Sequence, residues 1–397
     1  MIIYNLIMAV LAPLLLIRAL WRGEAVADLA ERLGRGPAQP VGLWLHGASL
    51  GELTSARWVI VALMAARPGL TLVVTANTLT GRQLVRDWRL TGVTARLAPL
   101  DTGTALRAFR ARWRPKALIS LEAEYWPHRM TCGLPVLLLG ARMSDRSCRR
   151  WQTRPALAAR MLAGVRMASA QDARSRANLT ALGLPPAVTL PNLDLKAQSI
   201  THLPVPALPP RADRATWLLA ASTHDGEEAL ILQAFRHQRQ FTHLILAPRH
   251  PTRAPAIATL LRSLGLPFDQ RSLGAPPGQS PVYLADTLGE MDMWYARCGA
   301  VVIGGSFADR GGHTPWEPAR FGSAILHGPN THNFAAPFAA LDATGGAIAV
   351  TPDTLAQALG RLNCQAQDDV ASTAQTVLQA QGDAAATLAR ILDVSGI

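Results

Sequence analysis

The sequence predicts an α/β protein of two doubly wound domains with a cleft between them, preceded by an apolar membrane-anchor helix. Three observations carry that expectation. Short apolar runs alternate with helical stretches from residue 41 onward, the alternation stops at a proline-rich segment and resumes after it, and the first residues form an uncharged apolar run. A length of 397 residues suits two domains, and 49% apolar residues suit ordinary cores but not a polytopic membrane protein.

Residues 2–17 carry no charge, and Arg18 and Arg22 follow them. At ~1.5 Å per helical residue the run through Trp21 reaches roughly 30 Å, enough to span a bilayer. A secretory signal would put its positive charges before the apolar run, although Ala25-Val26-Ala27 resembles a cleavage site. The anchor reading is favoured on charge order over a signal peptide and over a merely buried helix. Arg18, Arg22, Arg32 and Arg35 then place the globular body on the cytoplasmic side of the inner membrane. Pro13 and the marginal length leave open a helix lying in the interface rather than crossing it.

In the first half, Val41–His46, Leu70–Thr75, Ala117–Leu121 and Val136–Leu139 have the composition of buried strands. Glu52–Arg67 places Leu53, Ala56, Ile60, Leu63 and Met64 on one helical face, and a further helix holds Leu84, Val85 and Trp88. Strands alternating with helices imply parallel sheets covered on both faces. Residues 203–211 hold four prolines and form neither helix nor central strand. Strands then recur at Thr216–Ala221, Thr242–Ala247, Val282–Leu284 and Gly299–Gly304, with helices at Glu227–Gln238 and Ala254–Leu264 and a helical tail after Asp353. The expected boundaries are an anchor at 1–22, a first domain at 37–200, a linker at 201–214 and a second domain at 215–397.

The formal charge of +12, carried mostly by arginine, favours anionic partners such as membrane lipid, phosphates or acidic sugars. Nucleic acid is not expected, because the arginines are dispersed and no zinc-finger or RNA-binding signature is present. Cys132, Cys148, Cys298 and Cys364 are far apart and fit buried or free thiols.

Six segments carry chemistry. Trp44–Glu52 is a strand, a Ser/Gly loop and a helix opening on Glu52, whose carboxylate the helix N-terminus would hold ionised as a proton acceptor; a plain capping role is equally open. Glu122 and Glu124 follow a buried strand, and alternation along an extended segment would point both the same way. Ser222-Thr223-His224 precedes a helix that either hydroxyl could cap. Arg249 sits between Pro248 and His250-Pro251 at a strand end, a placement that suits phosphate binding. Asp286–Met291 is the fifth segment. The sixth runs from Gly304-Gly305-Ser306 to Gly311-Gly312-His313-Thr314-Pro315-Trp316-Glu317-Pro318, where a glycine-rich approach leads to a helix with Pro315 in its first turn and a carboxylate one turn on.

Together these segments resemble the 3-deoxy-D-manno-oct-2-ulosonic acid (Kdo) transferases of lipopolysaccharide biosynthesis, from the N-terminus to about residue 350. Further matches are Pro99-Leu100-Asp101, Ala141-Arg142-Met143-Ser144, Ala170-Gln171 and Asn333-Phe334. The resemblance implies a GT-B fold of two Rossmann-like domains and inverting transfer of Kdo from CMP-Kdo to a lipid A precursor. It implies no metal and no cofactor, CMP-Kdo being the donor substrate; the sequence has no Asp-x-Asp clamp. By the same resemblance Glu52 is the general base, Glu122 supports the transition state, and Pro248, Arg249, Leu288, Gly289, Glu290, Thr314, Pro315, Trp316 and Glu317 hold the CMP part.

Three positions depart from the family. Asn192-Leu193-Asp194-Leu195-Lys196 puts the lysine two positions late, and an extended segment would still turn Lys196 to the site. Thr314 replaces an asparagine, and Trp316 replaces a leucine and adds bulk beside the pocket. The alternatives are a GT-B enzyme with another nucleotide-sugar donor, or a catalytically silent paralogue that binds membrane or lipid A. An oxidoreductase is disfavoured, since no GxGxxG follows the first strand.

Overall fold

The computed structural model describes residues 1–201, 205 and 207–397. Two compact units separate, one comprising Met1–His202 with Gln381–Ile397, the other Leu203–Ala380.

The first unit is built on six parallel strands: β1 Leu43–Gly47, β2 Leu72–Ala76, β3 Val93–Leu97, β4 Ala117–Leu121, β5 Val136–Ala141 and β6 Val165–Ala170. Their order is β3-β2-β1-β4-β5-β6, so the winding reverses between β1 and β4. β1, β2, β4 and β5 are buried along their whole length, as strands covered by helices on both faces must be. Leu53, Ala56, Val59, Ile60 and Leu63 of helix Leu50–Ala66 pack onto one face of the sheet. Strands β3 and β6 carry no continuous apolar run: β3 is an edge strand interrupted by Arg96, and β6 mixes small residues with an exposed Arg166.

The second unit has seven parallel strands: β7 Trp217–Thr223, β8 His243–Pro248, β9 Phe268–Gln270, β10 Val282–Leu284, β11 Ala300–Ile303, β12 Ala324–His327 and β13 Ile348–Ala349. Their order is β13-β12-β11-β7-β8-β10-β9, with the reversal between β7 and β11. Strands β9, β12 and β13 were not among those expected from the sequence.

Two boundaries differ from the sequence expectation. The expected linker 201–214 falls partly outside the described residues; of the rest, Arg211–Arg214 is a short helix whose Arg214 is buried and donates to the carbonyls of Tyr295, Cys298 and Phe321. The second domain was expected to run to 397, yet helix Ala384–Ser395 belongs with the first unit. Its Ile391 is fully buried, with Leu388 and Leu392 alongside, in the core that contains Leu193 and Leu195. Gly382 lets the chain approach Asn192 and Leu193, since a Cβ there would lie 2.6 Å from the Leu193 side chain.

Helix Ile2–Trp21 has a mean hydropathy of 2.1 and is long and apolar enough to cross a membrane. One face lies against the first unit. Met8 and Ala19 are buried, the Tyr4 hydroxyl donates to Asp101 at 2.7 Å, and His128 bonds the Asn5 side chain at 2.6 Å. The opposite face presents Ile2, Ile3, Leu6, Val10, Leu14, Ile17 and Trp21 to the surroundings.

Because Ile391 fills the first unit's core, Ile391→Ala should destabilise that unit by about 2–5 kcal/mol. Urea unfolding followed by hydrogen exchange will register this as earlier opening of β1–β5, with the amides of β7, β8 and β11 unchanged.

Candidate active site

In open parallel sheets, ligands meet the carboxyl ends of the strands where the winding reverses. In the first unit those ends are Gly47 and Leu121, and the candidate carboxylates Glu52 and Glu122 follow directly. Ser49 caps helix Leu50–Ala66 by accepting the Glu52 amide at 3.2 Å, and the Glu52 carboxylate turns back to accept the Ala48 amide at 2.6 Å. Capping geometry and a functional placement therefore coexist. The expected direction of its acidity is corrected: burial pushes the Glu52 pKa up, the Ala48 amide opposes this, and the neighbouring Glu122 and Glu124 add to it. Desolvation outweighs the helix N-terminus.

Glu122 and Glu124 do not point the same way. Glu122 adopts a left-handed φ of 45°, which breaks the alternation of an extended segment. Its carboxyl is pushed up by burial and pulled back by Lys196 and Arg142. Glu124 turns instead into the protein. One of its oxygens accepts from His46 Nε2 at 3.0 Å, Trp126 Nε1 at 2.8 Å, Asn77 Nδ2 at 3.3 Å and the buried Arg129 at 3.4 Å. Burial would raise the Glu124 pKa, but the His46 bond, Arg129 and Trp126 prevail and hold it well below the usual carboxylate range. His46 is fully buried, which keeps it neutral beside the Arg129 charge. With Nε2–H donating to Glu124, its Nδ1 accepts from the Thr75 hydroxyl at 2.9 Å, and that hydroxyl in turn accepts Trp44 Nε1–H at 2.8 Å. The chain Trp44–Thr75–His46–Glu124 fixes the loop after β4 to β1 and β2.

Lys196 is not on an extended segment. It opens helix Leu195–Thr201, where Asp194 accepts the Lys196 and Ala197 amides at 2.9 and 3.2 Å. Its ammonium still acts on Glu122, so helical geometry rather than strand alternation brings it there.

In the second unit the reversal lies between Thr223 and Ile303, and the loops after both strands meet. Ser222 has a left-handed φ of 56°, and its carbonyl would lie 2.3 Å from a Cβ on Gly304, so only glycine fits there. Neither Ser222 nor Thr223 caps the next helix; Gly226 occupies the cap position, and the Thr223 hydroxyl donates to Glu228 at 2.7 Å. The organising group is Glu227, only 2% exposed. Its two oxygens accept the amides of His224 (2.8 Å), Gly305 (2.7 Å), Phe307 (2.9 Å) and Ala308 (3.3 Å), binding the glycine loop to the end of β7.

Around this clamp, His224 and His313 stack with their Nε2 atoms 3.0 Å apart, and His250 meets His224 edge-on. Burial, His224 and Arg249 push the His313 pKa down to about 4, so the exposed Arg249 supplies positive charge beside a neutral imidazole at pH 7. Arg249 follows the buried Pro248 and donates its amide to the Thr223 carbonyl at 3.0 Å. Burial pushes Glu317 up, and the Tyr295 hydroxyl, 3.1 Å away, draws it back.

The remaining residues expected to hold the CMP part have different surroundings. Pro315 caps rather than begins helix Trp316–Arg320, which is only five residues long, and the Thr314 hydroxyl accepts the Trp316 amide at 3.3 Å. Trp316 is 1% exposed, so its bulk fills the core rather than the pocket rim. Leu288 and Gly289 are exposed, whereas Glu290 is held by Arg271 in a two-pronged ion pair and by the Thr287 hydroxyl. Glu290 thereby fixes the start of helix Met291–Arg297, which carries Tyr295 to Glu317. Sequence reasoning missed the roles of His46, Thr75, Arg129 and Glu227. For Glu227, the signal was a second carboxylate directly beside Glu228.

Residues 27–198 match the family described as 3-deoxy-D-manno-octulosonic-acid transferase (Kdo transferase). The chain is 31% identical over 360 residues to the 3-deoxy-D-manno-octulosonic acid transferase of Haemophilus influenzae, spanning 84% of this chain and 83% of that one. It is 32% identical over 402 residues to the enzyme of that name from Bordetella pertussis, spanning 88% of each. In structure it is similar to the UDP-GlcNAc 2-epimerase of Neisseria meningitidis solved with UDP-GlcNAc (TM-score 0.57, 12% identity, 85% of this chain and 97% of that one). It is also similar to the glycotransferase of kitacinnamycin (TM-score 0.50, 16% identity, 89% and 99%). At such identities the likeness concerns the fold alone, which is GT-B.

A carboxylate whose folded pKa is depressed stabilises the fold above its unfolded pKa and loses that contribution as pH falls through the folded value. Glu124→Gln should therefore be less stable than the parent at pH 6, with the gap narrowing below about pH 4.5 as the Glu124 carboxylate of the parent titrates toward about 2. Paired urea titrations between pH 6 and pH 3 measure it; a gap independent of pH would contradict the ionised hub.

Proposed function

Because this chain belongs to the 3-deoxy-D-manno-octulosonic acid transferase family and is therefore a glycosyltransferase, we propose that it moves Kdo from CMP-Kdo to a lipid A precursor, lipid IVA, with inversion and without a metal. The observation that carries this reading is Glu52, a half-buried carboxyl of raised pKa at the end of β1 where the sheet reverses.

A carboxylate desolvated in this way is a stronger base than one in water, and the Ala48 amide fixes its orientation. Glu52 takes the proton of the acceptor hydroxyl as its oxygen bonds to the anomeric carbon of Kdo. The bond from that carbon to the CMP phosphate oxygen breaks, and its electron pair leaves with the phosphate. Arg249 meets the developing phosphate charge, the Glu227-held glycine loop shapes its surroundings, and Glu317 takes a nucleoside hydroxyl. Lys196 and Arg142 face Glu122, which balances the charge of the oxocarbenium-like sugar. The exposed apolar face of helix Ile2–Trp21, with Arg18 and Arg22 behind it, holds the enzyme at the cytoplasmic face of the inner membrane.

Incubation with lipid IVA and CMP-Kdo, followed by product mass, tests the reading. Glu52→Gln should lower kcat by roughly 10²–10⁴-fold while CMP binding persists; undiminished transfer would remove Glu52 from its role. Lys196→Ala should lower kcat by roughly 10²-fold, and unchanged turnover would reassign that charge to Arg142.

A further inference from the structure

The second unit holds a pair of histidines that the mechanism above leaves idle. His224 follows β7, and His313 lies in the glycine-rich run after β11. Their rings are parallel within 6°, the ring centres are 5.3 Å apart, and the two Nε2 atoms are 3.0 Å apart. Together these values put the nitrogens on the line between the ring centres, so the imidazoles meet end to end through one hydrogen bond. One Nε2 then donates and the other accepts, which makes the two rings opposite tautomers. The donating ring keeps a bare Nδ1, and the accepting ring carries its proton on Nδ1. Gly305 leaves the pair its room: a Cβ there would lie 3.4 Å from Cδ2 and 3.5 Å from Nε2 of His224.

The surroundings of the pair are short of negative charge. Glu227 is the carboxylate that acts on both rings, and its two oxygens are already taken by backbone amides. Arg249 and His250 act on His313, while Arg310, His250 and Arg253 act on His224. Arg253 is paired with Asp225 and Glu228, whereas Arg249, His250 and Arg310 are exposed. Burial above all, aided by the positive neighbours and opposed by Glu227, pushes both rings down, His313 to about 4. The unliganded pair is therefore neutral at pH 7. An anion seated among the same cations reverses that balance. One proton added at the bare Nδ1 keeps the Nε2 hydrogen bond and strengthens it, because its donor is then charged. A second proton would have to take the lone pair on which that bond depends, so uptake stops at one.

We propose that the His224–His313 pair takes up one proton when the phosphodiester of the nucleotide donor binds, and so meets the phosphate as a single shared cation beside Arg249. The proposal rests on the donor assigned above and adds a proton-coupled group to its site. That charge is then in place when the bond to the sugar breaks and the phosphate passes from one negative charge toward two. Because the liganded pair holds its proton to higher pH than the free pair, donor affinity should rise as pH falls between those two values and be level above and below them.

The test is calorimetry of the full chain with the methyl ester of CMP, a phosphodiester like the donor; CMP itself is unsuitable because its monoester titrates at about pH 6. Repeating each titration in buffers of different ionisation enthalpy counts the protons. The parent should take up almost none at pH 8.5 and about one per ligand at pH 5.5, with affinity rising by up to about tenfold per pH unit between. Cytidine, which lacks the phosphate, should take up none. His224→Asn with His313→Asn should abolish the uptake, and His250→Asn should retain it. Nitrogen NMR of the parent's histidine rings should show one Nδ1 gaining a proton with the ligand, a readout that needs no substitution. Heat independent of buffer at every pH would overturn the proposal. So would uptake approaching two protons, uptake that survives the paired substitution, or uptake lost in His250→Asn. Uptake with CMP-Kdo but not with the methyl ester would move the pair to the sugar's carboxylate and refute the phosphate assignment. If the methyl ester of UMP binds with proton uptake and the CMP ester does not bind, the donor reading fails and the pair stands; a CMP ester that binds without uptake does the reverse.

Discussion

A carboxylate taken out of water has to be surrounded by donors, and each unit arranges the loops at its strands' carboxyl ends around one such group. In the first it is Glu124, whose oxygen collects His46, Asn77, Trp126 and Arg129. Those four residues come from β1, the end of β2 and the segment after β4, so one side chain sets the mutual positions of the loops that carry Glu52 and Glu122. In the second unit Glu227 does the same with four backbone amides, without which the glycine loop would leave its N–H groups unpaired. Breaking either cluster would strand the remaining donors, a far larger penalty than the loss of one surface hydrogen bond.

This arrangement also explains the acidities at the site. Glu124 is surrounded by donors and held down, whereas Glu52 is desolvated with two amide donors and two carboxylate neighbours, and is pushed up. Two carboxylates in one loop cluster are thereby driven apart in basicity, which under the proposed mechanism leaves Glu124 to structure and Glu52 to proton transfer. The left-handed backbone at Glu122 and Ser222 falls at the two points where the sheets reverse.

Much of this was legible in the sequence because buried parallel strands are continuous apolar runs. β1, β4, β8 and β10 were found nearly to the residue, and the chemical segments lay at strand ends as the alternation required. What could not be read was anything set by tertiary pairing. Strand alternation was assumed after β4 and again before Lys196, but a left-handed residue at Glu122 and the helix Leu195–Thr201 decide those directions. The burial of Trp316 and the engagement of Glu290 by Arg271 depend on neighbours distant in sequence. The hub role of Glu124 needed His46 and Arg129, which no spacing rule connects.

The return of helix Ala384–Ser395 to the first unit has a consequence for how the molecule is made. Synthesis proceeds from the N-terminus, and a domain that is contiguous in sequence closes as soon as it leaves the ribosome. Here the groove that Ile391 fills stays vacant until helix Ala384–Ser395 has been made, by which time all of β7–β13 has emerged. The later-made unit is thus the first able to finish folding, and the earlier one waits for it with part of its apolar interior uncovered.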